Sequence, residues 1–380
     1  MKKFFFTFIL LGIGLTSDYA QNNPNLLLPI NERKIQMAIL FDASGSMDGL
    51  LSQAKARIWS IVNDLTAMRS NGAAPMVEIA LYSYGNDSHS SANNFIQQLV
   101  PLTTDLDLIS QKLFGITTNG GSEYCGAVIN NALGELKWSN DGMDLKMIYI
   151  AGNEPFNQGS VDYRKICPQA LERQIYVNTI HCGDYQTGIR DLWQDGAKLG
   201  GGDYFHIDAD KSIQTIATPF DEPINAYNDS LNKTYFGYGI QGQVRKEMQA
   251  TQDQNAQSLS VSNKAERSIA KSKANYENSS WDLIDANTQG KKDVTKMKDD
   301  ELPEEFKGLK PEEKKALLDK KTEERKMLQK KVADLAIERD KFIQTEKAKL
   351  GDKAGDDFGT SVSKSIEKKA EKIGFNKEGN

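Results

Sequence analysis

"MAILFDASGSM", residues 37–47, decides how this chain is read. An apolar run from Met37 to Leu40 ends in Phe41 and then releases Asp42, Ser44 and Ser46 at alternate positions around Gly45. Two chemistries use such a turn. In the first, Ser46 caps the next helix by accepting from its free N–H groups. In the second, the carboxylate and both hydroxyls converge on a divalent cation, which takes hard oxygen ligands. A cap accounts for Ser46 alone. A cation site accounts for all three side chains, with Gly45 permitting the tight path between them.

The neighbouring segments place this turn in a fold. "KIQMAILF" (34–41) is a strand, and Leu50, Ala54, Ile58, Ile61 and Leu65 come after it at helical spacing. Further apolar strands at 76–84, 95–102, 145–152 and 175–183, with a short last one at 203–208, are separated by helical stretches at 107–114, 124–136, 161–174 and 189–200. That alternation predicts an α/β fold: a Rossmann-like, doubly wound, mostly parallel sheet covered on both faces. Ligands of such sheets bind beyond the carboxyl ends of the strands, where Asp42 lies. The glycines at 200–202 precede a strand and lack a Lys-Ser or Lys-Thr pair, so they are not a phosphate loop.

Around this turn the chain resembles the von Willebrand factor A (VWA) domain family, over roughly residues 33–220. "DASGSM" matches the Asp-x-Ser-x-Ser of that family's metal-ion-dependent adhesion site. The resemblance implies direct coordination by Ser44, Ser46 and a hydroxyl from a glycine-rich loop, here Ser122 in "TNGGSEYCGAV", with Asp42 acting through water. It also implies an aspartate at the end of the fourth strand. This chain has Gly152 there, in "IYIAGNEPF", with Asn153 or Glu154 to fill the vacated place. The implied cofactor is a divalent cation, Mg²⁺ first and Mn²⁺ or Ca²⁺ as alternatives. The implied activity is non-enzymatic binding of a protein or an acidic surface ligand at the top of the sheet.

Charge divides the chain. Residues 236–380 carry 30 Lys and Arg against 27 Asp and Glu, whereas residues 1–235 carry 17 against 25. The acidic front part is compatible with a cation, and a net charge of −5 gives no reason for a nucleic-acid partner. Residues 221–308 read as a polar helical or linker extension with an apolar island at Trp281, Leu283 and Ile284. Residues 309–350 read as one long charged helix starting at Pro311, and 351–380 as a loose tail. Leu328, Val332, Leu335 and Phe342 make a narrow, partly coiled-coil-like stripe that Arg339 breaks, a surface for self-association or a partner. This stripe allows an alternative function: a structural scaffold with a degenerate metal site that binds through the long helix.

At the N-terminus, "MKK", an apolar stretch and small Ala20 read as a secretory leader over residues 1–20, hence a periplasmic or secreted protein without a transmembrane segment. Export permits disulfides, and Cys167 with Cys182 is the expected pair. A remote enzyme alternative is a Cys-His hydrolase using Cys125 and His181. His89 reads as a surface residue and His206 as a core residue.

Overall fold

Strand β1 (Lys34–Asp42) is apolar toward both faces and sits at the centre of the sheet. The computed structural model describes residues 33–207, 216–350 and 358–377, so the expected leader lies outside the described residues. Helix α1 (Asp48–Thr66) comes after β1, and then β2 (Met68–Arg69), β3 (Met76–Tyr84), β4 (Ile96–Thr103), α2 (Leu106–Phe114) and α3 (Cys125–Glu135). Next are β5 (Leu145–Gly152), α4 (Tyr163–Glu172), β6 (Ile175–Cys182), α5 (Tyr185–Arg190), α6 (Trp193–Leu199) and β7 (Gly201–Ile207). The six-stranded sheet runs β4-β3-β1-β5-β6-β7, parallel at every pairing except the antiparallel edge strand β4. The strand order reverses beside β1, so the crevice for a ligand opens at its C-terminal end.

Two apolar layers cover the sheet. One face packs Ile58, Trp59, Val62 and Leu65 of α1 on Met37, Phe41, Tyr149 and Ile180. The other packs α3, α4 and α6 on Leu40, Tyr82, Ile150 and Val177.

The chain beyond the sheet is no linker. Helices α7 (Asp221–Asn232), α8 (Gly239–Leu259), α9 (Val261–Ser272), α10 (Leu283–Thr288), α11 (Pro311–Leu350) and α12 (Phe358–Glu371) belong with it to one compact unit. Leu231, Tyr235, Ala256, Ala270, Tyr276 and Trp281 extend the core on the α1 face. Of the expected apolar island, Trp281 joins this main core, while Leu283 and Ile284 pack with Phe236 and Phe306. The C-terminal segment also differs from the loose tail expected: Val362, Ile366, Ala370 and Phe375 are buried in the same layer. Strand β8 (Asn376–Lys377) pairs antiparallel with β2.

Along α11 the most deeply buried positions are Leu318, Arg325, Val332 and Arg339, one every seventh residue. The stripe is used inside the chain: Val332 packs with Ile224, Ala265 and Ile269, and the Phe342 ring stands edge-on to Phe220 at 6.3 Å. Arg339 does not break the stripe but anchors it. Its guanidinium donates to Asp221 and Glu266, each at 2.7 Å, and to Ser262 at 2.9 Å. Arg325 does the same two heptads earlier, on Asp282 and Asp285 at 2.7 and 2.8 Å. A coiled-coil seam facing a second chain is therefore not what this stripe is for.

The expected Cys167–Cys182 bridge is absent, and Cys125, Cys167 and Cys182 are free, buried thiols. Side chains alternate between faces along a strand. On β6, Ile175 and Val177 face the layer that holds Cys167, while Ile180 and Cys182 face the α1 layer. The sheet lies between the two sulfurs. His206 is exposed rather than core, because it alternates outward from Phe205 at the edge strand.

Candidate metal site

The turn after β1 is built by backbone before side chains act. Ala43 N donates to Tyr84 O at 2.8 Å, and Gly45 N donates to Gly120 O at 3.0 Å. The motif is thereby held against the end of β3 and against the loop before α3. Within it, Ser44 N donates to Asp42 Oδ1 at 2.8 Å, and the Ser44 and Ser46 hydroxyls lie 2.9 Å apart. Ser46 does not cap α1. The capping position is taken by Met47, with no side-chain cap bond, and Ser46 Oγ donates instead to Asn153 Oδ1 at 3.1 Å. Four of the expected residues, Asp42, Ser44, Ser46 and Asn153, are thus gathered at one place.

Ser122 reaches this place by backbone, bridging Gly85 across from the end of β3. The next residue brings the charge. Glu123 is 3% exposed, and it acts on Asp42 by charge and on Ser44 through its side chain. It was not among the expected ligands, and the available signal was an acidic residue beside the loop hydroxyl of a motif whose last aspartate is missing. Glu154 sits at the rim, half-buried, with Gln158 Nε2 donating to its Oε2 at 3.3 Å.

Electrostatics and hydrogen bonding agree on what this pocket lacks. Asp42 is fully buried and its Oδ2 has no hydrogen-bond partner, and the same is true of Glu123 Oε2. Native proteins satisfy nearly all such atoms, so each one left over calls for a partner. Burial pushes the Asp42 carboxyl up to about 6, with the Glu154 charge adding to the rise and Ser44 hydrogen bonds opposing it. Burial, then the Asp42 charge, pushes Glu123 up to about 8. Both carboxyls are destabilised as anions by dehydration and by a neighbouring carboxylate, Glu154 for Asp42 and Asp42 for Glu123.

Gly152 leaves little room for the aspartate that the resemblance implies at this position. A Cβ there would lie 2.6 Å from Tyr84 Oη, 3.0 Å from Trp193 and 3.1 Å from Asp42 Oδ2. Tyr84 Oη is fixed in that space by donating to Ala151 O at 3.0 Å. Among the described residues no three Asp, Glu, His or Cys side chains form a metal cluster by themselves. The donor set here is mixed, with carboxylates, hydroxyls and an amide oxygen, which is the chemistry that suits Mg²⁺, Mn²⁺ or Ca²⁺. The orphaned oxygens of Asp42 and Glu123 fit such an ion.

The hydrolase arrangement is not formed. Cys125 is buried, its Sγ lies 3.7 Å from Tyr84 Oη, and burial drives its thiol far above the range where a thiolate forms. His181 is packed against Trp193, with ring centroids 5.9 Å apart. His89 bonds Ser83 Oγ at 3.0 Å.

No family model and no curated protein matches the chain. Solved structures similar to it include BatB from Bacteroides thetaiotaomicron, 17% identical, where 46% of this chain covers 90% of that one at a TM-score of 0.36. The VWA domain of SpRpn10 is 17% identical, with 47% of this chain covering 90% of it at 0.36. Proximal thread matrix protein 1 from the mussel byssus, a structure with a zinc-occupied metal-ion-dependent adhesion motif, is 15% identical, with 47% and 43% covered at 0.36. What places the fold is the molecule's own strand order and motif. With β1 central, β4 as the antiparallel edge, and Asp42, Ser44 and Ser46 on the turn beyond β1, the sheet unit has the fold of a von Willebrand factor A domain.

Proposed function

We propose that this protein is a non-enzymatic binding module that holds a partner protein through a divalent cation at the end of β1. The observation that carries this reading is the buried, unpartnered Oδ2 of Asp42 beside the exposed Ser46. Leaving such an atom unpaired costs free energy that a cation would recover. Ser44, Ser46 and Asn153 would hold the ion with Asp42, and Ser122 lies on the loop that closes the site. When bound, the cation supplies an open coordination position for an oxygen of the partner. The chain's own part is to fix the oxygens on rigid strand ends above the buried Tyr84 and Trp193 side chains. Mg²⁺ is the ion proposed first, since the donors are oxygens throughout.

The scaffold reading, in which α11 does the binding, has less support because its apolar stripe is covered by α7 and α9. The leader expected at residues 1–20 makes the periplasm or the cell exterior the proposed location. No helix among the described residues is long and apolar enough to cross a membrane.

Calorimetric titration of Mg²⁺, Mn²⁺ and Ca²⁺ into chelator-treated protein tests the reading. Saturable binding that is lost in Asp42→Ala is expected. Absence of binding by all three ions at millimolar concentration would sink it.

A further inference from the structure

We propose that Glu123, on the loop before α3, is the charged cation ligand that Gly152 cannot provide. This rests on the cation-binding reading above and assigns a residue to it that the motif does not contain.

Three placements support the assignment. First, the usual position is closed. Any side chain at Gly152 would have to displace Tyr84 Oη, which is held by Ala151 O, and the Trp193 ring. No rotation of a flexible tip relieves that overlap, because Tyr84 and Trp193 are both fully buried. The second carboxylate must therefore come from elsewhere.

Second, Glu123 is buried beside Asp42 and Ser44, and one of its oxygens is left without a partner. Its Oε2 is buried and has no hydrogen-bond partner, as is Asp42 Oδ2. The charges that act on it are those of Asp42 and Glu154, both of its own sign. Two buried carboxylates facing each other without a basic side chain are unfavourable in a folded protein unless a cation joins them.

Third, the backbone is shaped to admit it. Gly85 comes directly after β3 with φ +75°, and a Cβ there would lie 2.8 Å from Glu123 Cγ and 3.0 Å from Asp42 Oδ1. The glycine at this position leaves room for these two side chains to lie together. Glu154 and Asn153 fit the role less well. Glu154 is half-exposed and accepts from Gln158, while Asn153 is neutral and already accepts from Ser46.

The test uses the full chain after chelation, with Mn²⁺ as the probe, its free concentration followed by electron paramagnetic resonance. Glu123→Gln keeps size and shape while removing the charge. It should weaken Mn²⁺ binding roughly tenfold or more, because hard-cation affinity follows ligand charge, whereas Glu154→Gln should change it by less than about threefold. A second readout does not depend on binding. In chelator, Glu123→Gln should melt higher than the parent protein, and added Mn²⁺ should raise its melting temperature less. Glu123→Asp should retain part of the affinity. If the parent binds Mn²⁺ and Glu123→Gln binds it equally well, Glu123 is not a ligand and this assignment falls, while the proposed function stands. If Glu154→Gln instead removes binding, the ligand is Glu154. If the parent protein binds no Mn²⁺, both the assignment and the function proposed above are overturned.

Discussion

Two regions of this molecule bury carboxylates, and they treat them in opposite ways. Behind α1, Asp253 receives Arg267 Nε at 2.6 Å and Lys271 Nζ at 2.9 Å, while Arg267 also meets Asp107 at 2.8 Å. Asn232 and Asn228 donate to Asp253 Oδ2 at 2.7 and 2.8 Å, and Tyr276 donates to Asp107 at 2.6 Å. Burial by itself would raise Asp253, but Lys271 and then Arg267 overcome it and hold the carboxyl well below its ordinary range. At the end of β1 the carboxylates are buried too, and among the described residues no lysine or arginine charge acts on them, so Asp42 and Glu123 rise instead. Burial is common to both regions, so the counterion decides. In the first region the chain supplies the countercharge itself, and in the second the proposed countercharge is a cation from solution.

The sharpest way to break the comparison is to make the first region resemble the second. Asp253→Ala strands Arg267 and Lys271, both fully buried, without their shared partner. Removing one member of such a network costs about 3–5 kcal/mol. Denaturant unfolding should show that loss, and an unchanged midpoint would mean that water rescues the cations.

The second region should respond in the opposite direction, by gaining stability when its missing charge is supplied. A cation at a hundred times its dissociation constant adds roughly 2.7 kcal/mol by mass action. A thermal melt of the parent protein should rise with Mg²⁺, and that of Asp42→Ala should not. An equal rise in both would assign the effect to another place.

The pH dependence sharpens the contrast because the signs differ. Glu123 and Asp42 titrate ordinarily near 4.5 and 3.8, and in the fold near 8 and 6. Their protonated forms favour the fold. That contribution is full below about pH 4 and is lost as pH rises through 6 to 8. Asp253 is depressed, so its contribution is present above its ordinary value and disappears only in strong acid. Metal-free protein should therefore lose stability between about pH 5 and 8, and Glu123→Gln should flatten that slope in chelator. A slope identical in both proteins would show that Glu123 does not titrate there.

The smallest expected effect concerns the vacated place itself. Gly152→Asp restores the family residue but forces it against Tyr84 and Trp193, an overpacking that costs about 1–3 kcal/mol. It should lower the melting temperature without improving Mg²⁺ affinity. Tighter Mg²⁺ binding by Gly152→Asp would show that Tyr84 moves aside.

Much of this protein was legible where the physics is local. The apolar run of β1, the helical spacing of α1 and the alternation beyond them dictate the parallel sheet, since period and strand length suffice to name each element. Asp42, Ser44 and Ser46 are legible for the same reason, lying on five consecutive residues whose backbone brings them together. The burial of Glu123 beside Asp42 was not legible because it depends on Gly85, which follows β3 in the chain but meets both side chains only in the fold. Sequence spacing could not give the state of the cysteines, because the side of the sheet on which each sulfur lies decides whether two of them meet.

The sequence by itself determined the sheet and the turn that gathers Asp42, Ser44 and Ser46 beyond β1, because each of these follows from contiguous residues. Only the tertiary structure decided which carboxylates share a counterion and which are left without one. Arg339 shows the difference: in the sequence it interrupts an apolar stripe, and in the fold Asp221 and Glu266 make it, like Arg325, an anchor of α11. A buried charge has no fixed cost of its own, since its free energy is set by partners that only folding brings within reach.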